Sequence, residues 1–144
     1  MRKAWLDGSN SVVIATGLDF PSGIVLDHET SQLFWTEYTG HRIQSGDLNG
    51  ADLKVVVSSK PQARPGPWGI TVNGGKLYWG DYDAKMLHTG TKTGRDITSS
   101  WIGSPISHLT IAPANVRNSS RLNHCAQVGC RRMCALTPTS FRCL

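Results

Sequence analysis

Two carboxylates are the residues with which this chain could do chemistry. Glu37 closes the phrase Leu33-Phe34-Trp35-Thr36-Glu37, and Asp81 closes Leu77-Tyr78-Trp79-Gly80-Asp81. Paired carboxylates can serve as general acid and base. Their placement argues against that role. Trp35 and Trp79 stand 44 residues apart, and so do Tyr38 and Tyr82, and Gly50 and Gly94. Several anchors in one register mark a structural unit that occurs twice, and a residue that recurs once per unit behaves as scaffold. Glu37 and Asp81 are therefore read as strand-end acceptors of turn N–H groups. Phe34, Trp35, Tyr78 and Trp79 are read as structural residues whose rings fill space between units. The chain has no Gly-x-Ser-x-Gly elbow and no phosphate-binding glycine loop. The expectation is a protein that is not an enzyme.

The remaining ligating side chains point the same way. His28, His41, His88, His108 and His124 show no metal-binding spacing such as H-E-x-x-H. All four cysteines lie near the end, as Cys125-x4-Cys130-x3-Cys134-x8-Cys143. Zinc sites favour Cys-x2-Cys pairs, and none is present, so disulfides in an oxidising compartment are expected and a metal is not. Asn118-Ser119-Ser120 is a glycosylation acceptor. Met1 leads into Leu6-Asp7-Gly8 with no export signal, and no stretch approaches the roughly 18–20 apolar residues of a membrane span. Disulfides and this lack are reconciled if the chain is part of a longer secreted or membrane-anchored protein. The net charge is +5. Basic and acidic residues balance up to Asp96, and the excess is Arg117, Arg121, Arg131, Arg132 and Arg142. These arginines are dispersed and lack a nucleic-acid-binding motif, so no nucleic acid is expected as a partner.

The elements that must position these residues are strands. β-branched and aromatic runs at 12–15, 23–27, 33–36, 42–45 and 53–57 are separated by turns at 7–10 and 47–50. The order returns at 69–72, 76–79, 85–88 and 97–102, around Asn73-Gly74-Gly75 and Lys92-Thr93-Gly94. Four short strands per 44-residue unit is the pattern of a propeller blade. The expected organisation is all-β, with about two and a half blades. A blade remnant covers 1–16, blades cover 17–60 and 61–104, and a closing strand at 105–113 is continued by nothing. A linker at 114–124 and a small disulfide-bonded module at 125–144 follow. Ring closure needs at least four blades, so this stack is expected to leave edges and apolar faces open.

On these residues the chain resembles a known family. Phe34-Trp35-Thr36-Glu37 and Tyr78-Trp79-Gly80-Asp81 are similar to the YWTD motif of the LDL-receptor and LDL-receptor-related proteins. Gly17-Leu18, Pro21-Ser22-Gly23-Ile24, Asp27, Arg42-Ile43 and Leu48-Asn49-Gly50 follow the same pattern. The resemblance implies a partial six-bladed-type YWTD β-propeller followed by a truncated EGF-like module, and within that module the pairing Cys125–Cys134 and Cys130–Cys143. No acidic residue precedes Cys125, so neither the calcium-binding class of that module nor any other cofactor is expected. Glu37 departs from the motif Asp, Gly80 from its Thr, and Asn73 from a strand-end Asp.

The resemblance further implies part of an extracellular or cell-surface receptor that binds protein ligands: a Wnt-type ligand, its antagonist, or an endocytic cargo. The implied ligand face is built from the loops between second and third strands and the lead into the first. These supply Tyr38, His41 and Arg42 in one blade, and Trp68, Tyr82 and Lys85 in the next. Aromatics with Arg or Lys are the usual material of binding hot spots. The alternatives are a structural matrix protein of the nidogen type, a non-functional gene fragment, and a propeller hydrolase, for which no ligand constellation is visible. His41, in an inter-strand loop, is a candidate for acid-induced ligand release, since histidine is the side chain type suited to switching charge near physiological pH. An affinity that changes equally with pH in the parent and in His41→Ala removes that role.

Overall fold

Strands form where Val, Ile, Leu and aromatic runs are bounded by Gly, Asp and Asn. The structure, a computed structural model, describes residues 1–59 and 66–111 and the backbone of 133–136 and 141–143. β1 (Arg2–Lys3) and β2 (Val12–Val13) form a two-stranded sheet. β3 (Pro21–Asp27), β4 (Gln32–Glu37), β5 (Arg42–Asp47) and β6 (Lys54–Ser58) form a four-stranded antiparallel sheet. β7 (Pro67–Asn73), β8 (Lys76–Asp81), β9 (Met86–Thr91) and β10 (Thr98–Trp101) form a second. β11 (His108–Ile111), β12 (Met133–Leu136) and β13 (Phe141–Cys143) form a third sheet of three strands. The described residues contain no helix, and the architecture is an all-β partial propeller.

The two four-stranded sheets are the repeat made visible. Ile24 pairs with Trp35 as Ile70 pairs with Trp79, and Glu37 pairs with Arg42 as Asp81 pairs with Met86. The first hairpin spends four residues between Asp27 and Gln32, where the Asp27 carboxylate accepts the Glu29 N–H and the Thr30 hydroxyl. The second needs only Gly74-Gly75 between Asn73 and Lys76, with Gly74 at φ 54°. A left-handed residue is what lets a two-residue loop follow the strand twist.

Side chains alternate along each strand, so a strand between two sheets is apolar on both faces. Leu33 and Trp35 of β4 pack with Ile14 and Ala15, beside the two-stranded sheet. Phe34 turns the other way, and with Ile43 meets Ile70, Leu77 and Trp79 of the second sheet. A smaller cluster joins Leu87 to Ile106. The core therefore lies between sheets.

The inner strands approach each other closely. A Cβ added at Gly23 of β3 would fall 2.3 Å from the Trp68 carbonyl oxygen of β7. Thr36 occupies this joint: its hydroxyl accepts the Gly23 N–H at 2.8 Å and donates to the Trp68 carbonyl at 2.6 Å. Ser22 Oγ adds a bond to the Pro67 carbonyl at 3.1 Å. In the second sheet Gly80 stands where Thr36 does in the first. Fully buried Ile106 fills the vacated space, 2.4 Å from where a Gly80 Cβ would lie.

One expectation is corrected. The strand near residue 110 is not left without continuation: β11 pairs with β12 in the register Leu109 to Ala135, and β12 pairs with β13. An unpaired row of N–H and C=O groups is costly to leave beside a core. The linker at 114–124, Asn118, Cys125 and Cys130 lie outside the described residues. Cys134 and Cys143 are register partners across β12 and β13.

Gly23→Ala is expected to destabilise the fold by about 2 kcal/mol or more, the range of overpacking in a tight site. Gly75→Ala, which meets nothing within 4 Å, is expected to be close to neutral. Urea unfolding followed by tryptophan fluorescence compares the two.

Candidate functional site

The loops that lead into the inner strands, and those between second and third strands, bring four aromatic rings into one row. Phe20 lies 5.8 Å from Tyr38 and 5.9 Å from Trp68, centroid to centroid. Tyr38 meets Trp68 edge-on at 5.3 Å, and Trp68 meets Tyr82 at 5.1 Å. Such spacings are the favoured aromatic contacts. The row crosses the boundary between sheets, because Phe20 and Tyr38 belong to the first and Trp68 and Tyr82 to the second. Phe20 and Tyr82 are exposed while Tyr38 and Trp68 are half-buried. The Tyr38 hydroxyl donates to Asp83 Oδ2 at 2.9 Å, a second link across the boundary. That bond raises the Tyr38 phenol above its ordinary value of 10.0.

Of the six residues expected on a ligand face, the structure brings Tyr38, Trp68 and Tyr82 together. Lys85 is exposed and His41 half-buried, at equivalent places in the two loops and both with left-handed backbone. Arg42 is committed elsewhere. Its guanidinium donates to Glu37 Oε2 at 2.7 Å and 3.1 Å and to Asp19 Oδ2 at 3.2 Å. It is therefore a structural partner and not a free contact. Phe20 is the member that sequence reading missed. Its counterpart in the second unit is Gly66, whose carbonyl accepts the Tyr82 N–H as that of Phe20 accepts the Tyr38 N–H. No repeated ring marked it.

Glu37 shows what the repeated carboxylate does. Its side chain is fully buried and accepts from the Trp35 indole at 3.1 Å, the Asp19 N–H at 2.8 Å, Arg42 and the Gln44 amide. Burial alone would raise its pKa. The Asp19 N–H, Arg42 and the indole outweigh burial and hold it below 4.5. Asp27 is similar: burial opposes ionisation, but Lys92 of the next sheet at 2.5 Å, Thr30 and the Glu29 N–H hold it below 3.8.

Asp81 is the counterpart with fewer partners. Met86 stands where Arg42 does, and His88 where Gln44 does. Asp81 Oδ1 accepts the Ala84 N–H at 2.7 Å, while buried Oδ2 has no partner among the described residues. The His88 ring stacks on Trp79 at 5.5 Å, its Nδ1 meets Ser99 Oγ at 2.8 Å, and its buried Nε2 has no partner among the described residues. Burial pushes His88 below 6.5, and the charge of Asp81 opposes this in part. The ring borders a cavity of about 220 Å³ between the sheets, walled by Ile43, Val57, Pro67 and Trp79. Glu37 and Asp81 thus sit in separate sheets with separate partners, an arrangement of two scaffold carboxylates and not of one acid–base pair. Among the described residues no three His, Cys, Asp or Glu side chains are grouped to hold a metal.

No family model matches the chain. It is similar to the vitellogenin receptor of Solenopsis invicta, 30% identical over 133 residues, and to low-density lipoprotein receptor-related protein 5 of Homo sapiens, 33% identical over 111 residues. These alignments take in 87% and 76% of this chain but only 7% of either relative's length. Among solved structures it is similar to one from a nidogen–laminin complex, with a TM-score of 0.75 and 22% identity. That match covers 99% of this chain and 51% of the other. A gluconolactonase from Xanthomonas campestris matches with a TM-score of 0.67 and 18% identity, over 94% of this chain and 40% of the other. Identities this low establish the fold and nothing more.

The pKa directions give two separate windows. His88 is depressed, so the folded state favours neutral imidazole, and its contribution is complete above 6.5 and lost as pH falls below that value. Glu37 and Asp27 are also depressed, so their contributions are complete above 4.5 and 3.8 and are lost as pH falls further. Stability against urea is expected to fall in two steps on acidification. His88→Gln, which installs the residue of the first sheet, is expected to abolish the upper step and keep the lower one. Met86→Arg, which supplies Asp81 with a guanidinium, is expected to raise stability at neutral pH.

Proposed function

We propose, for a chain that belongs to the YWTD-repeat family of LDL-receptor-related proteins, that it forms part of an extracellular or cell-surface receptor and recognises a protein ligand through the aromatic row. The observation that carries the reading is the continuity of Phe20, Tyr38, Trp68 and Tyr82 across the sheet boundary. Exposed rings held in place by neighbours lose little entropy on binding and supply large apolar contact. Tyr38 is fixed by Asp83, and Trp68 by the joint beneath it. Lys85 at the rim adds an exposed cation suited to an acidic side chain on the partner. The ligand class that best suits this surface is a folded extracellular protein or an extended loop of one, such as a Wnt-type ligand, its antagonist or an endocytic cargo.

The relatives of higher identity are receptors, which sets a receptor ahead of a matrix protein of the nidogen type. Likeness to the gluconolactonase rests on fold alone. The buried, separately partnered carboxylates favour a binding role over hydrolysis.

Phe20→Ser and Tyr82→Ser, both at exposed positions, are expected to weaken binding of a Wnt-type ligand or antagonist roughly 30-fold when combined, about 2 kcal/mol. Lys85→Ala is expected to slow association chiefly at low salt. Surface-immobilised ligand with the 144-residue chain and its variants in solution measures both. Equal affinity of parent and double variant rules out the row as the contact surface.

A further inference from the structure

We propose that Asn73 is a site of self-modification, at which the side-chain amide is lost as ammonia and aspartate or isoaspartate takes its place. The inference rests on the fold and is independent of the ligand reading.

The chemistry needs only the chain and water. The Gly74 backbone nitrogen attacks the Asn73 side-chain carbonyl carbon. Its proton departs with the amide nitrogen as ammonia, and a cyclic imide remains. Water then opens the imide at either carbonyl. Opening at the side-chain carbonyl leaves the backbone intact, with aspartate at 73. Opening at the backbone carbonyl routes the chain through the former side chain and leaves isoaspartate. The attacking nitrogen must be unshielded and free of hydrogen bonds, and a glycine that follows asparagine supplies the least shielding.

The chain has two Asn-Gly dipeptides, and the fold treats them in opposite ways. Asn49-Gly50 is held shut. The Gly50 N–H donates to the Asp47 carbonyl at 3.3 Å, and the Asn49 N–H donates to Asp47 Oδ1 at 2.8 Å. Asn49 Oδ1 accepts from Lys3 Nζ at 2.9 Å. Gly50 is also wedged against the neighbouring chain, since a Cβ placed on it would fall 2.4 Å from the Ile14 carbonyl oxygen.

Asn73-Gly74 is open. It begins the tight turn between β7 and β8, where Gly74 and Gly75 are both exposed and a Cβ on either would meet nothing within 4 Å. Among the described residues neither the Gly74 N–H nor the Asn73 side chain has a hydrogen-bond partner. The Lys92 N–H, which donates to the Gly75 carbonyl at 3.2 Å, holds only the far side of the turn. The reacting nitrogen and the reacting amide are therefore both unengaged at this dipeptide and both engaged at the other.

The first sheet already carries the product residue. Asp27 follows Ile24 at the interval at which Asn73 follows Ile70, and each ends the innermost strand of its sheet. The Asp27 carboxylate accepts the Glu29 N–H and the Thr30 hydroxyl and meets Lys92 Nζ of the next sheet at 2.5 Å. Aspartate at 73 would stand across from exposed Lys76, its register partner, and opposite charges at such a pair attract. Isoaspartate acts differently. It adds a carbon to the backbone of a turn whose geometry suits two residues, and so loosens the pairing of β7 with β8.

Peptide mapping by mass spectrometry tests this. The 144-residue chain is kept at mildly alkaline pH, in buffer and in parallel in denaturing urea, and is sampled over weeks. Trypsin places Asn49 and Asn73 in separate peptides. Methyl transfer from S-adenosylmethionine by an isoaspartyl methyltransferase tells isoaspartate from aspartate. In buffer Asn73 is expected to lose its amide at least about tenfold faster than Asn49, because an engaged site reacts only through local opening. In urea the two rates are expected to converge. Asn73→Ser is expected to remove the main acidic species that accumulates on ion exchange. An Asn73 amide that stays intact, or that is lost no faster than that of Asn49 in buffer, overturns the proposal. So does a preference for Asn73 that persists unchanged in urea, which would assign it to the neighbouring sequence and not to the open turn.

Discussion

Everything in this structure depends on how closely two inner strands can approach. At Gly23 the gap to the next strand leaves no room for a methyl group, and the Thr36 hydroxyl bridges it by accepting one backbone N–H and donating to one backbone carbonyl. A hydroxyl can do both at once through a single oxygen atom, and a methyl can do neither. With the joint set, the aromatic cores between sheets follow, because Phe34 and Ile43 are brought against Ile70, Leu77 and Trp79. The aromatic row follows in turn, since Trp68 supplies both the bridged carbonyl and the ring at its centre.

The second sheet keeps this architecture with altered chemistry. Thr gives way to Gly80, and Ile106 plugs the space, so a polar bridge becomes an apolar contact at the next joint. Arg and Gln give way to Met86 and His88, which leaves a buried carboxylate oxygen and an imidazole nitrogen unmatched among the described residues. Buried polar groups left this way cost stability. Trp79 and Leu87, buried in separate clusters, give that sheet apolar contacts on both sides that offset the loss.

Much of this was legible in the residues. β-branched and aromatic runs and the turns between them located the strands of both units, and Asn73-Gly74-Gly75 stood out as the turn between the runs at 69–72 and 76–79. The loops of the candidate site were placed by the family resemblance, onto a pair of units whose tyrosines recur in register. What stayed hidden depends on contacts between distant segments. Phe20 was missed because its counterpart is a glycine. Arg42 read as a free cation because its isolated position says nothing of Glu37, although cross-strand pairing with a strand-end carboxylate is a signal that could have exposed it. The continuation of β11 by β12 spans more than twenty residues, and no local pattern announces a pairing of that range.

Amide hydrogen exchange at Gly23 tests the central claim most directly. If its N–H is held by Thr36 inside the joint, it exchanges only when the stack opens, with protection equal to that of the β4 core amides, and Thr36→Val lowers that protection. Rapid exchange at Gly23 while β4 remains protected would mean that the inner strands are not joined there, and the account of the core and of the aromatic row would fail with it.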